Sequence, residues 1–518
     1  MTLDPDTVLT RFRRAKSRRG AWEGLWHDAV GHTLPQRAGG VGTGPQTGPA
    51  TSTRLFDATA GDAAEQLAAS LLAELTPPWS RWFGLVPGPA ASQDDATALA
   101  PRLENAAAAL QGHLDRSTFA TEVHQCYLDL VTVGTACLLF EEAPVGARSA
   151  FRFRAIPMRE AVLDEGPDGQ LDVVFRETAM TQGQLAGRFG TAALPDELTA
   201  GDADGDARHT VVEAVLPDGH AYAHTALLVP EGGAGEPHVL AGGRLADTPF
   251  IAFRWMKAPG ELYGRSPVMR ALPDIKTANK VVELTLKNAS MAVSGIWQAD
   301  DDGVLNPSAI ELTPGTIVPK AMGSAGLQPL ATPGNFDVSE LVLADLRQRI
   351  RSAMLVDQLG AANRQDMTAT EVLERSAEVT RVLGATYGRL QAELLTPLVA
   401  RGLAILGRRG EIEPVRLDGR LVDIQHRSPL AQVQGRKEVA NTTAWVDRLA
   451  GFGGAALEVV DIPATARWLG ERLGVPGHLM RSDAAITKRR RAAKGAQSAA
   501  AGASDRAADS PTGRVGDA

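Results

Sequence analysis

Ile275, Ala278, Val282, Leu286, Ala289 and Val293 recur at steps of three and four, and Leu343, Leu346, Ile350 and Met354 repeat the pattern further on. Side chains so spaced share one face of an α-helix. A helix over 273–294 would span about 33 Å. Between the stripes, residues 295–337 are short strand-like runs and Gly/Pro turns, including "IWQADDDGVLNPSAIELTPGTIVPKAMGS". The chain must therefore accommodate two long helices that bracket a small β insertion.

At 518 residues, with 44% hydrophobic and 22% charged residues, the chain is long enough for three or four structural units of roughly 100–200 residues each. Its 53 Lys+Arg against 61 Asp+Glu give a net charge of −8. Such a surface repels DNA as a whole, so any nucleic-acid contact must be local or transient. Cys126 and Cys137 are the two cysteines and show no zinc spacing, which fits synthesis in a reducing cytoplasm. The charged stretch Met1 to Arg19 has no apolar signal core, and no run approaches the roughly 18 uninterrupted apolar residues of a membrane span. Neither export by that route nor a place in a membrane is expected.

Along the chain, Asp6 or Thr7 is expected to cap a helix carrying Val8, Phe12 and Ala15. After Gly20 a stripe of Trp22, Leu25, Trp26 and Ala29 continues to Leu34, as a hairpin or one kinked helix. A Gly/Pro/Thr loop over 38–52 precedes a helix with Ala60, Ala64, Leu67, Ala68, Leu71 and Leu75 on one side, ended by Pro77-Pro78. "LTPPWSRWFGL" then places Trp79, Trp82 and Phe83 together. They could form a base-stacking platform, but beside an Ala-rich helix they read better as a plug that closes a core.

A helix is expected from about Pro101, and another with Phe119, Val123, Tyr127 and Leu130 that feeds a buried strand at Gly134. Alternating runs from Phe151 to Phe253 predict a small antiparallel sheet interrupted by a helix over Thr181 to Phe189. Thr368 and Glu371 have capping-box spacing at the head of a long helix to about Leu406. Pro397 should kink that helix by removing a donor and clashing with the preceding turn. Residues 484–518, with the basic run Lys488 to Lys494, have too little apolar content to offset their ordering entropy and are expected to be a disordered tail.

Candidate chemical sites are few. Asp202, Asp204, Asp206 and Glu213 fall at positions 1, 3, 5 and 12 of a calcium loop. The sixth position is Ala207 rather than Gly, however, and the following "TVVEAVL" alternates as a strand, so the match is weak. "GGVGTG" lacks the strand, Lys and Ser/Thr of a phosphate loop. The ten histidines are scattered, and no nucleophile elbow or Walker motif is present, so no catalytic residues and no cofactor are expected. Lys276, Lys280, Glu283 and Lys287 step along one polar stripe. That stripe is either a solvated face or a set of sparse phosphate contacts.

Several strings, in this order, resemble the head-to-tail connecting (portal) proteins of short-tailed bacteriophages: "LFDATAGDAAEQLAASLLAELTPPWSRWFGL", "FATEVHQCYLDLVTVGTACLLFEE", "YGRSPVMRALPDIKTANKVVELTLKNA", "MTATEVLER", "LQAELLTPLVARGLAIL", "SPLAQVQ" and "LGVPGHLMRSD". The resemblance implies an α+β, mainly α-helical protomer with a wing over 1–271, helical in 1–134 and antiparallel β in 135–260. It further implies a stem of 272–294 and 338–356 around an α/β clip at 295–337. A tunnel loop at 357–370, a long kinked helix at 371–410 and a helical crown at 411–483 complete the outline. It implies a dodecameric ring at one capsid vertex through which double-stranded DNA passes. The expected partners are the terminase large subunit, tail adaptor proteins, and the major capsid and scaffolding proteins. Arg364 on the tunnel loop and Lys276, Lys280 and Lys287 on the stem are the residues expected to face DNA. A tail adaptor or other virion ring protein, and a calcium-binding or hydrolytic module on the 151–253 sheet, are the alternatives.

Overall fold

The structure, a computed structural model, describes residues 4–40, 55–199, 207–230, 235–294, 297–298, 322–323, 328–329, 336–356, 384–415, 417–427, 429–453 and 458–472. It divides into two compact units: Met1–Pro78 with His113–Arg401, and Trp79–Gly112 with Gly402–Ala518. The fold is α+β.

In the first unit, α1 runs unbroken from Pro5 to Gly31. Its cap is Asp4, whose carboxylate accepts from Thr7 N at 3.0 Å, rather than Asp6 or Thr7. Gly20 does not break it, and the buried stripe runs on through the glycine, with Val8, Leu9, Phe12 and Ala15 before it and Trp26, Ala29 and Val30 after it. Arg19 is buried on the same helix and donates to the carbonyls of Met158, Arg159 and Ala161 at 3.2, 2.9 and 3.0 Å. α2 (Thr59–Leu75) buries the six residues expected from its pattern and packs on α4 (Phe119–Val133).

α4 ends at Gly134, which adopts φ +78° and feeds β2 (Thr135–Glu142) directly. Only glycine suits this junction. A Cβ there would sit 2.3 Å from the carbonyl oxygen of Gly264, and the reciprocal Cβ on Gly264 would sit 2.2 Å from that of Gly134.

The region expected to hold one antiparallel sheet holds two. β2 pairs antiparallel with β3 (Phe151–Ile156) and with β9 (Phe250–Arg254). A separate five-stranded sheet follows chain order: β4 (Ala161–Asp164), β5 (Val173–Thr181), β6 (Arg208–Asp218), β7 (Ala221–Val229) and β8 (His238–Leu245). Both faces of this sheet are covered, because successive side chains of β6 point to opposite faces and Val211 to Leu216 are buried without a break. Val212, Ala214 and Leu216 meet Val8, Leu9, Phe12 and Ala15 of α1. On the opposite face, Val211 packs with Leu185 of α5 (Gln182–Phe189), a helix that starts with a complete capping box from Thr181 and Gln184. The four-residue α6 is Asp196–Thr199.

α7 (Pro267–Ser294) begins a turn and a half before the expected start and carries Pro273 in its interior. α8 (Phe336–Ala353) packs along it. Between them, among the described residues, β10 (Trp297–Gln298) pairs antiparallel with β11 (Gln328–Pro329). The expected loop at 357–370 and the head of the long helix, with Thr368 and Glu371, lie outside the described residues, as does the tail over 484–518.

α9 (Gly384–Arg408) is long and apolar enough to cross a membrane by length and composition, yet more than half of that window is buried in the protein, as in a core helix. Its Gln391–Leu395 turn is π-helical. Thr396 N bonds the carbonyl of Gln391 in place of an i−4 partner. The wide turn lies just ahead of Pro397, so the proline is accommodated by a local change of helix type.

In the second unit, β1 (Phe83–Pro87) pairs antiparallel with β12 (Val422–His426). α3 (Gln93–Asp115) starts two turns before Pro101 and contains it. α10 (Pro429–Gly451) packs on α11 (Ile462–Arg472). Trp82 and Phe83 are fully buried, with their rings edge to face at 4.8 Å, whereas Trp79 is 74% exposed. The expected aromatic plug therefore consists of two rings rather than three.

His426, opposite Phe83 in this ladder, has a buried Nδ1 with no hydrogen-bond partner. Burial pushes its imidazole down to about 4, with Asp423 pulling the other way. A histidine held neutral by the fold stabilises fully above its unfolded pKa of about 6.5, and that contribution is lost as pH falls toward the folded value. Acidification from neutrality to about pH 4 should therefore reduce hydrogen-exchange protection in β1 and β12. The loss should be smaller in His426→Gln.

Candidate functional site

The paired helices α7 and α8 bring together the largest set of candidate residues. At its base, α7 is anchored by Ile275 and Ala278, both buried. Asn279 Oδ1 accepts from the amides of Phe56 and Asp57 at 2.6 and 3.1 Å. α8 is anchored by buried Leu346, Ile350 and Met354. Arg347 pairs with Asp57 at 2.8 Å, and Arg349 with Asp274 at 2.9 Å.

Beyond this base the apolar pattern loses its cover. Leu284 and Leu286 of α7 are 49% and 53% exposed, and Leu341 and Val342 of α8 are 74% and 44% exposed. Leu286 belongs to the stripe from which helix 273–294 was read, so the period was right while the burial stops part-way along.

The lysine stripe divides in the same way. Lys276 is tied to Asp28 of α1 at 2.6 Å. Lys280 and Lys287 share one carboxylate, that of Glu283, at 3.0 and 2.5 Å. The hydrogen bonds from Lys287 and then Lys280 hold the Glu283 carboxyl below its usual range. Both ammonium groups remain well exposed. Exposed pairs of this kind are screened by solvent and do little for the fold. Arg364 lies outside the described residues.

Of the calcium-like quartet, only Glu213 lies among the described residues; Asp202, Asp204 and Asp206 lie outside them. Glu213 is buried within β6 directly opposite Arg176, and its oxygens pair with Arg188 at 2.6 Å and Arg176 at 3.5 Å. Arg176 also holds Glu160 at 3.0 Å. The alternation of "TVVEAVL" sets this arrangement, placing Glu213 on the α5 face where Arg188 is. Among the described residues no group of three or more His, Cys, Asp or Glu side chains is arranged to hold a metal.

Sequence reasoning missed the charge network centred on Arg254, at the end of β9. The buried guanidinium pairs with Glu393 of the π-helical turn at 2.7 Å and with Glu165 at 2.5 Å. It also donates to the carbonyls of Leu262 and Gly169 at 3.0 and 3.2 Å. Glu393 accepts the backbone amide of Arg254 at 2.9 Å as well, and Lys257 joins Glu165. Burial works against the Arg254 charge, but the two carboxylates outweigh it and its pKa rises. No local pattern links residues so far apart in the chain.

A family model described as "Bacteriophage head to tail connecting protein" matches residues 5–480. The chain is 24% identical over 485 residues to the "Probable portal protein" of Bordetella phage BPP-1, covering 89% of this chain and 85% of the relative. It is 24% identical over 535 residues to the "Portal protein" of Salmonella phage epsilon15, covering 98% and 94%. Among solved structures, the "Neck of empty GTA particle computed with C6 symmetry" aligns at 13% identity over 79% of this chain and 90% of that one. The TM-score of that alignment is 0.37.

Proposed function

The chain belongs to the bacteriophage head to tail connecting protein family, and on that premise we propose that it forms a dodecameric portal ring at one capsid vertex. Double-stranded DNA would pass through its channel during packaging and ejection. The family match over residues 5–480 carries this reading. Both full-length relatives are named portal proteins, a structural role that needs no catalytic residue.

In this reading residues 1–271 are the wing, 272–294 and 338–356 the stem, 295–337 the clip, 357–370 the tunnel loop and 411–483 the crown. The terminase large subunit and later the tail adaptor proteins would dock at the clip. The major capsid and scaffolding proteins would surround the ring. Arg364 is the candidate for DNA contact on the tunnel loop. The chain's net charge of −8 suits a conduit, because a strongly basic wall would trap phosphates it should let slide. On the stem, Lys276 is engaged with Asp28. Lys280 and Lys287 keep exposed ammonium groups that suit either a phosphate or a carboxylate on another chain.

Electron microscopy of the purified protein in negative stain is expected to show rings with a central hole. A protein that stays monomeric at every concentration overturns the reading.

A further inference from the structure

The exposed sides of α7 and α8 carry opposite charges arranged around matching leucines. On α7, Lys280, Leu284 and Lys287 follow at steps of four and three and so form one stripe. Its two cations share a single carboxylate, leaving a positive excess. On α8, Leu341 and Asp345 are one turn apart, with Glu340 beside Leu341, and all three are exposed. Glu340 and Asp345 have no partner among the described residues, because Arg347 and Arg349 are engaged with Asp57 and Asp274. One helix thus presents a leucine flanked by a net positive charge, and its neighbour a leucine flanked by two carboxylates without a partner among the described residues.

We infer that the Lys280–Leu284–Lys287 stripe of one copy docks against the Glu340–Leu341–Asp345 stripe of the next copy of this chain. The occupant is a second copy because a single chain carries both halves of a complementary pair on different helices. Such a patch-to-different-patch contact is the heterologous kind that propagates around a ring. Leucines rimmed by opposite charges follow the logic by which helix pairs choose partner and register, with apolar contact giving affinity and flanking ions giving specificity. The inference rests on the ring reading and assigns Lys280 and Lys287 to a neighbour instead of to DNA.

Two double variants test it: Lys280→Glu with Lys287→Glu, and Glu340→Lys with Asp345→Lys. Each presents like charges at every contact, so each is expected to run as a monomer by light scattering under conditions where the unaltered protein assembles. Mixing the two purified variants should restore assembly, since every contact then pairs acid with base. Circular dichroism shows whether each variant keeps the helix content of the unaltered chain. Should one misfold, the unaltered ring provides the test: its assembly must weaken as salt rises and screens exposed charges, and indifference to salt overturns the inference. Folded variants that assemble normally, or that stay monomeric when mixed, also overturn it while leaving the ring reading intact. An unaltered protein that never assembles removes the ring reading and the inference together.

Discussion

Arg254→Met is expected to lower the stability of the first unit by about 3–5 kcal/mol, the usual cost of removing one partner from a buried ion network. The side chain is nearly inaccessible and holds Glu393, Glu165 and two carbonyls. Methionine fills similar space but leaves the Glu393 carboxylate with only Arg389, at 3.1 Å, and the amide of Arg254 as described partners. Urea unfolding should show the earlier transition. Arg254→Met combined with Glu393→Gln should regain part of the loss, because no uncompensated carboxylate then stays buried. If the single variant unfolds like the unaltered protein, the network does not hold α9 to the end of β9.

Trp82→Ala is expected to cost about 3–5 kcal/mol in the second unit, as large-to-small changes at buried aromatics do. Trp79→Ala, three residues earlier, should change stability by no more than about 0.5 kcal/mol, as expected of an exposed side chain. Trp82 stacks edge to face on Phe83, and its carbonyl accepts Arg427 N at 2.7 Å. Its removal should therefore release protection in both β1 and β12 by hydrogen exchange. Equal effects from the two tryptophans would mean that the burial difference is not what stabilises this ladder.

What was legible in the sequence was periodic or local. The six buried positions of α2, the passage from α4 through Gly134 into β2, and the helix over Thr181 to Phe189 each follow from spacing or from a short capping signal. Prolines misled the reading of boundaries. Pro101 and Pro273 mark the expected helix starts, yet both lie inside helices that begin earlier. The split of one expected sheet into two was hidden because β2 chooses a partner, β9, over a hundred residues away, and alternation says which face is buried but not which strand is adjacent. The candidate stripe was readable as polar, but the exposure of Leu284 and Leu341 beside it was not. A leucine at helical spacing looks the same whether its own chain or another covers it.

The pairing of β1 with β12 has a consequence for how the protein is made. Phe83 and His426 are partners in the ladder, and 426 − 83 = 343 residues separate them. At a synthesis rate of about 5–20 residues per second, the first strand waits roughly 17–70 s for the second to leave the ribosome. Until then Trp82 and Phe83 cannot be covered by β12, and the nascent chain carries an apolar pair suited to chaperone capture. Only a chain extended past residue 426 can close this ladder, so an interrupted product keeps the edge of β1 unpaired beside these rings.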